Sequence, residues 1–89
     1  MTNESFIKKA KELVEEYTKA HIDKTDEMPT FNVFVVWSCF ILGNQKALLS
    51  TTISDGMYYE ITYNKEKNEI YFDAYKKFEN KCVEVGEHA

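Results

Sequence analysis

The stretch "DGMYYEITYNKEKNEIYFDAY", residues 55–75, decides the fold. Met57, Tyr59, Ile61 and Tyr63 recur at every second position, and so do Ile70, Phe72 and Ala74 after the polar interruption "KEKN". That alternation predicts two strands joined by a tight loop, with one face turned to a core. A four-residue loop over Lys65 to Asn68 pairs Tyr63 with Ile70, Ile61 with Phe72 and Tyr59 with Ala74. The opposite face then carries Tyr58, Glu60 and Thr62 beside Tyr71, Asp73 and Tyr75, where a solvated antiparallel face would read polar throughout.

Upstream the same period continues. "FNVFVVWSCFIL" (31–42) is dense in β-branched and aromatic residues and reads as a first strand, and "KALLSTTI" (46–53) reads as a second. In the "SDG" turn Gly56 stands last, which suits a three-residue loop. That loop would pair Ile53 with Met57, Thr51 with Tyr59, Leu49 with Ile61 and Ala47 with Tyr63. Val33, Val35, Trp37, Cys39 and Ile41 are expected to join the core face. Phe34, Val36, Ser38, Phe40 and Leu42 fall on the other.

Residues 3–22 read differently. Phe6, Ile7, Ala10, Leu13, Val14, Tyr17, Ala20 and His21 follow helical spacing, with Lys and Glu on the remaining surface and Asn3 placed to cap. The expected fold is therefore α+β. One N-terminal amphipathic helix (3–22) and a connector (23–30) lead into an antiparallel meander (31–85), with a flexible tail (86–89). The meander has four strands, or five if "CVEV" pairs, since "KKFENKCVEV" suits either a helical turn or a short strand.

Bulk properties narrow the function. A chain of 89 residues makes one domain and buries about 60–65% of its unfolded surface, so oligomerisation is a common supplement to its core. Eleven lysines against fifteen acids give a net charge of −4 without a separate basic cluster, which disfavours direct nucleic-acid binding. No apolar run suits a signal peptide or a membrane span, and Cys39 and Cys82 lack metal-site spacing. Reduced thiols and a cytoplasmic location are expected. His21 on the helix and His88 near the end join no catalytic motif. Without a phosphate loop, a His–Glu motif or a nucleophile elbow, no enzyme and no cofactor is expected.

The candidate surface is the face bearing Tyr58, Glu60, Tyr71, Asp73 and Tyr75, extended by Phe34 and Phe40. Tyrosine offers large contact area and a hydroxyl at low torsional cost, as binding surfaces require. Glu60 directly across from Asp73 is an unfavourable like-charge pair that invites a cation. Lys77 or another local lysine supplies one, or else a basic residue of a partner does. A metal has weaker support, because a third ligand is missing.

The elements "VFVVW.C", "KALLST", "DGMYYE.TYN" and "DAYKK.EN", with "F.KKAKEL" in the helix, cover nearly the whole chain. In them the sequence resembles a family of small uncharacterised proteins encoded by tailed phages and prophages of low-GC Gram-positive bacteria. The resemblance implies a context and no site residues. Small phage proteins in a bacterial host cytosol often act by binding a host enzyme or defence system, or by sequestering a nucleotide signal. A homo-oligomeric binding module with a host-protein partner is the leading expectation. A nucleotide-sequestering protein with its site at an oligomer interface is the alternative.

Overall fold

A computed structural model describes residues 1–22 and 30–86. One helix, α1 (Asn3–His21), precedes four strands: β1 (Val33–Ile41), β2 (Asn44–Thr51), β3 (Met57–Asn64) and β4 (Glu69–Lys76). They form an antiparallel sheet in the order β1-β2-β3-β4. The fold is α+β, a helix on one face of a four-stranded meander. The connector expected over 23–30 lies outside the described residues apart from Thr30, as do 87–89 of the tail.

The cap of the helix lies one residue before the expected one. Thr2 is extended and its Oγ1 accepts a hydrogen bond from the Ser5 amide at 3.1 Å, so threonine, not Asn3, satisfies the first free donor. Phe6, Ala10, Val14 and Thr18 recur every four residues and are buried against the sheet. Thr18 returns its hydroxyl to the Val14 carbonyl at 2.7 Å, which lets a polar side chain sit on the buried stripe. Across the interface, Ala47, Leu49 and Ile61 are fully buried, with Tyr59 and Tyr63 nearly so. Tyr17 and Phe72 are only partly buried, packing at the margin of this core.

The β3–β4 hairpin has the register that its alternation predicts, from Tyr63↔Ile70 through Ile61↔Phe72 to Tyr59↔Ala74. Its loop closes with the Asn68 amide on the Lys65 carbonyl, and Asn68 takes a left-handed φ of 52° that asparagine tolerates. The β2–β3 register is displaced by two residues from expectation: Leu49 pairs with Tyr59 and Ala47 with Ile61. Side-chain caps lengthen the loop. The Thr51 hydroxyl accepts from the Ile53 amide and the Asp55 carboxylate from the Met57 amide, so the turn spans residues 52–56. A shift of two preserves which side chains face the helix, so the core composition survives the change.

In β1 the shift is by one residue, with a larger consequence. Val33 and Val35 pair with Thr51 and Leu49, but a bulge at Val36 makes Trp37 pair with Leu48, Ser38 with Ala47 and Cys39 with Lys46. Beyond the bulge the faces exchange. Trp37, Cys39 and Ile41, expected in the core, turn away from the helix, whereas Ser38 and Phe40 turn to the helix side. The bulge sets Ser38 beside Ala47, where an unbroken register would have set the Trp37 indole, and Ser38 and Phe40 both stay exposed at this edge of the helix side.

The sheet ends at Lys76. Residues 77–85, whose sequence suits either a helical turn or a short strand, form neither, and nor does Gly86.

Candidate functional site

The sheet face away from the helix is assembled by pairing alone. Tyr58 stands across from Tyr75, Glu60 from Asp73 and Thr62 from Tyr71, as the hairpin reading predicts. Lys46, Leu48 and Ser50 of β2 extend the face, and the β1 register adds Phe34, Trp37, Cys39 and Ile41. Six of the seven residues expected there are present. Phe40 is the exception, because it pairs with the buried Gln45 on the other side of the bulge.

What covers this face is slight. Phe34, Trp37, Tyr71 and Tyr75 keep 44%, 42%, 44% and 52% of their surface, and Ile41 keeps more. Aromatic side chains present about 150–250 Å² each when fully open, so these five groups alone expose on the order of 500 Å² of largely apolar area. The largest patch on an ordinary monomer is of about that size and is often functional.

Within the face the charges are arranged locally. The Lys46 ammonium lies 3.3 Å from the Glu60 carboxylate, so a lysine from the neighbouring strand supplies the cation that the acid pair invites. Lys77, expected in that role, lies over the Tyr58 ring with its nitrogen 5.8 Å from the centroid. Among the described residues Asp73 has no ion-pair partner. The Tyr71 hydroxyl donates to the Glu69 carboxylate two residues back on the same strand. That bond holds the Tyr71 phenol above the ordinary tyrosine range, because ionising it would forfeit the donor.

Among the described residues no group of three His, Cys, Asp or Glu side chains could hold a metal ion. Both cysteines are exposed free thiols. On the helix side a cleft of 440 Å³ opens between the end of α1 and the β2–β3 loop, lined by Tyr17, His21, Asp55 and Tyr59 among others. His21 stacks on Tyr17 with ring centroids 4.0 Å apart and shares a 2.8 Å hydrogen bond with its carbonyl, a structural use of the imidazole.

Sequence reasoning missed Trp37, Cys39 and Ile41 on the open face, and Lys46 as the partner of Glu60. Lys46 was recoverable in principle, since a correct β2 register puts it diagonal to Glu60. The β1 residues were not, because a strand apolar on both sides looks the same with or without a bulge.

No helix of the described residues is long and apolar enough to cross a membrane. No curated protein and no solved structure matches the chain. A family model does match, over residues 7–85, and it spans most of the helix, all four strands and the segment beyond β4 as far as Val85. The chain belongs to that family, described as a family of unknown function (DUF6275).

Proposed function

We propose that this protein is a non-enzymatic binding module that works as a homo-oligomer through the sheet face away from its helix, and that its target is a protein of a bacterial host. One observation carries the reading. Phe34, Trp37, Tyr71 and Tyr75 stand about half open on a rigid sheet, while the Glu60 carboxylate beside them is already paired by Lys46. A preformed apolar surface whose remaining carboxylate, Asp73, is negative suits a protein surface better than an anionic small molecule. A second copy covers it most simply, because two-fold closure is the commonest symmetry and about 800 Å² per partner makes an ordinary specific interface. The resemblance to phage and prophage families supports a host cytosol as the place of action, with a host enzyme or defence system as target.

Light scattering on wild type beside Tyr58→Glu and Tyr75→Glu tests the oligomer. Wild type is expected to be dimeric at tens of micromolar and both variants monomeric with unchanged circular dichroism. A monomeric wild type would count against self-association. Stabilisation by a nucleotide in a thermal shift would favour a small-molecule role instead.

A further inference from the structure

The two edges of the sheet differ in a way that bears on the segment after β4. β4, one edge, carries Glu69, Asp73 and Lys76, the kind of charged guard that keeps an edge from pairing. β1, the other edge, is "VFVVWSCFI", with no charge and no proline. Nothing in its sequence guards the edge, since charged residues and proline are the usual means of keeping an edge strand from pairing. Among the described residues β2 is its one neighbour. The bulge at Val36 blunts the first half, but from Trp37 to Ile41 the pairing with β2 is regular, and the outer backbone groups of those five residues form an open row. At the tip Leu42 is 94% exposed and held at a left-handed φ of 51°, an uncommon arrangement for a leucine that packs on nothing in its own chain.

Residues 77–86 have the complementary property. The Lys77 amide bonds the Gly56 carbonyl at 2.7 Å, and beyond that point no backbone hydrogen bond joins the segment to the body among the described residues. All ten residues are exposed, including Phe78 (95%), Val83 and Val85. The stretch "KCVEV" nevertheless has strand-like character. Among the described residues one chain thus carries an unguarded edge open on its outer side and an arm whose apolar side chains Phe78, Val83 and Val85 are exposed.

We propose that residues 77–86 form an exchanged arm whose "KCVEV" stretch pairs along Trp37–Ile41 of a second copy, becoming a fifth strand of that copy's sheet. The proposal rests on the homo-oligomer reading above and specifies what the second copy contributes. The arm leaves from the β4 edge, three strand spacings, about 14 Å, from its own β1. A two-fold pair makes the contact twice, each arm on the other copy's edge. Main-chain bonds then supply affinity, as in other strand additions, and the valines and Phe78 cover β1 side chains that its own chain leaves open.

The test uses the full chain and its two native thiols. Wild type grown with ¹⁵N is mixed with unlabelled wild type, oxidised with copper–phenanthroline and digested, and cross-linked peptides are read by mass. Cys39–Cys82 bridges between a labelled and an unlabelled chain are expected. In parallel, Val83→Glu/Val85→Glu is expected to weaken dimerisation at least tenfold by light scattering. Its circular dichroism should be unchanged, because neither side chain touches its own body. Cys39–Cys82 bridges confined to one chain, or the absence of such bridges, would overturn the proposal. So would a double variant that dimerises like wild type. If Tyr58→Glu still dissociates that dimer, the face reading survives and only the arm falls. A monomeric wild type overturns both.

Discussion

On the helix side of the sheet Ala47, Leu49 and Ile61 of the central strands expose nothing, whereas on its opposite side Trp37, Tyr71 and Tyr75 of the two edge strands keep 42%, 44% and 52% of their surface. The two faces have similar apolar content, so composition does not separate them. What separates them is that one amphipathic helix covers one face. The closed face therefore reports folding and the open face reports association. A substitution on the first should change stability in a single chain, and a substitution on the second should change mass while leaving the single chain nearly as stable.

The largest expected effect is on the closed face. Leu49→Ala removes a fully buried side chain at the helix–sheet contact and should cost about 3 kcal/mol, lowering the melting temperature by more than about 12 °C. Trp37→Ala, measured on dilute monomer, should cost less than about 1 kcal/mol despite deleting a larger group. Equal costs would break the comparison. Phe72 sharpens it from the margin. Its ring lies 5.1 Å from Tyr17 and 5.7 Å from Tyr59 by centroids, yet it is only half-buried, so Phe72→Ala should fall between the other two, at about 2 kcal/mol by denaturant unfolding.

How much of this was legible in the residues depends on what sets each register. The β3–β4 pairing was readable because its turn uses backbone preferences alone, with asparagine at the left-handed position. Tyr58, Glu60, Tyr71, Asp73 and Tyr75 were placed together on that basis. The β2–β3 loop was misjudged because Thr51 and Asp55 cap it with side chains, an option that the glycine position does not disclose. The displacement of two residues happened to preserve every face. In β1 the displacement is one, and it moved Phe40 off the open face and Trp37, Cys39 and Ile41 onto it. Alternation carries no information in a strand that is apolar throughout, so it does not disclose a bulge between Val35 and Trp37.

Two smaller effects concern the ends of the closed face. Thr2→Ala deletes the cap of α1 and should cost about 1 kcal/mol, visible as a lower melting temperature without any change in mass. Burial holds the Tyr59 phenol above the ordinary tyrosine range, opposed in part by the nearby Thr18 hydroxyl. A raised folded value means that the folded state binds this proton more tightly than the unfolded chain. The contribution is thus fully present below about pH 10, the unfolded tyrosine value, and is lost as pH rises through the folded one. Alkaline titration at 295 nm should show a late-ionising tyrosine that Tyr59→Phe removes.

The single tryptophan tests the central claim most directly, because the bulge has placed Trp37 on the open face beside the unpaired edge. Intrinsic fluorescence with acrylamide quenching is followed from nanomolar to tens of micromolar, with mass measured on the same samples. The emission should be red and readily quenched in dilute protein. It should then move to the blue and become protected in step with dimer formation, a transition that Tyr58→Glu abolishes. Emission that is blue and protected at every concentration would put Trp37 in the core and contradict the account, as would a dimer that forms while Trp37 stays open.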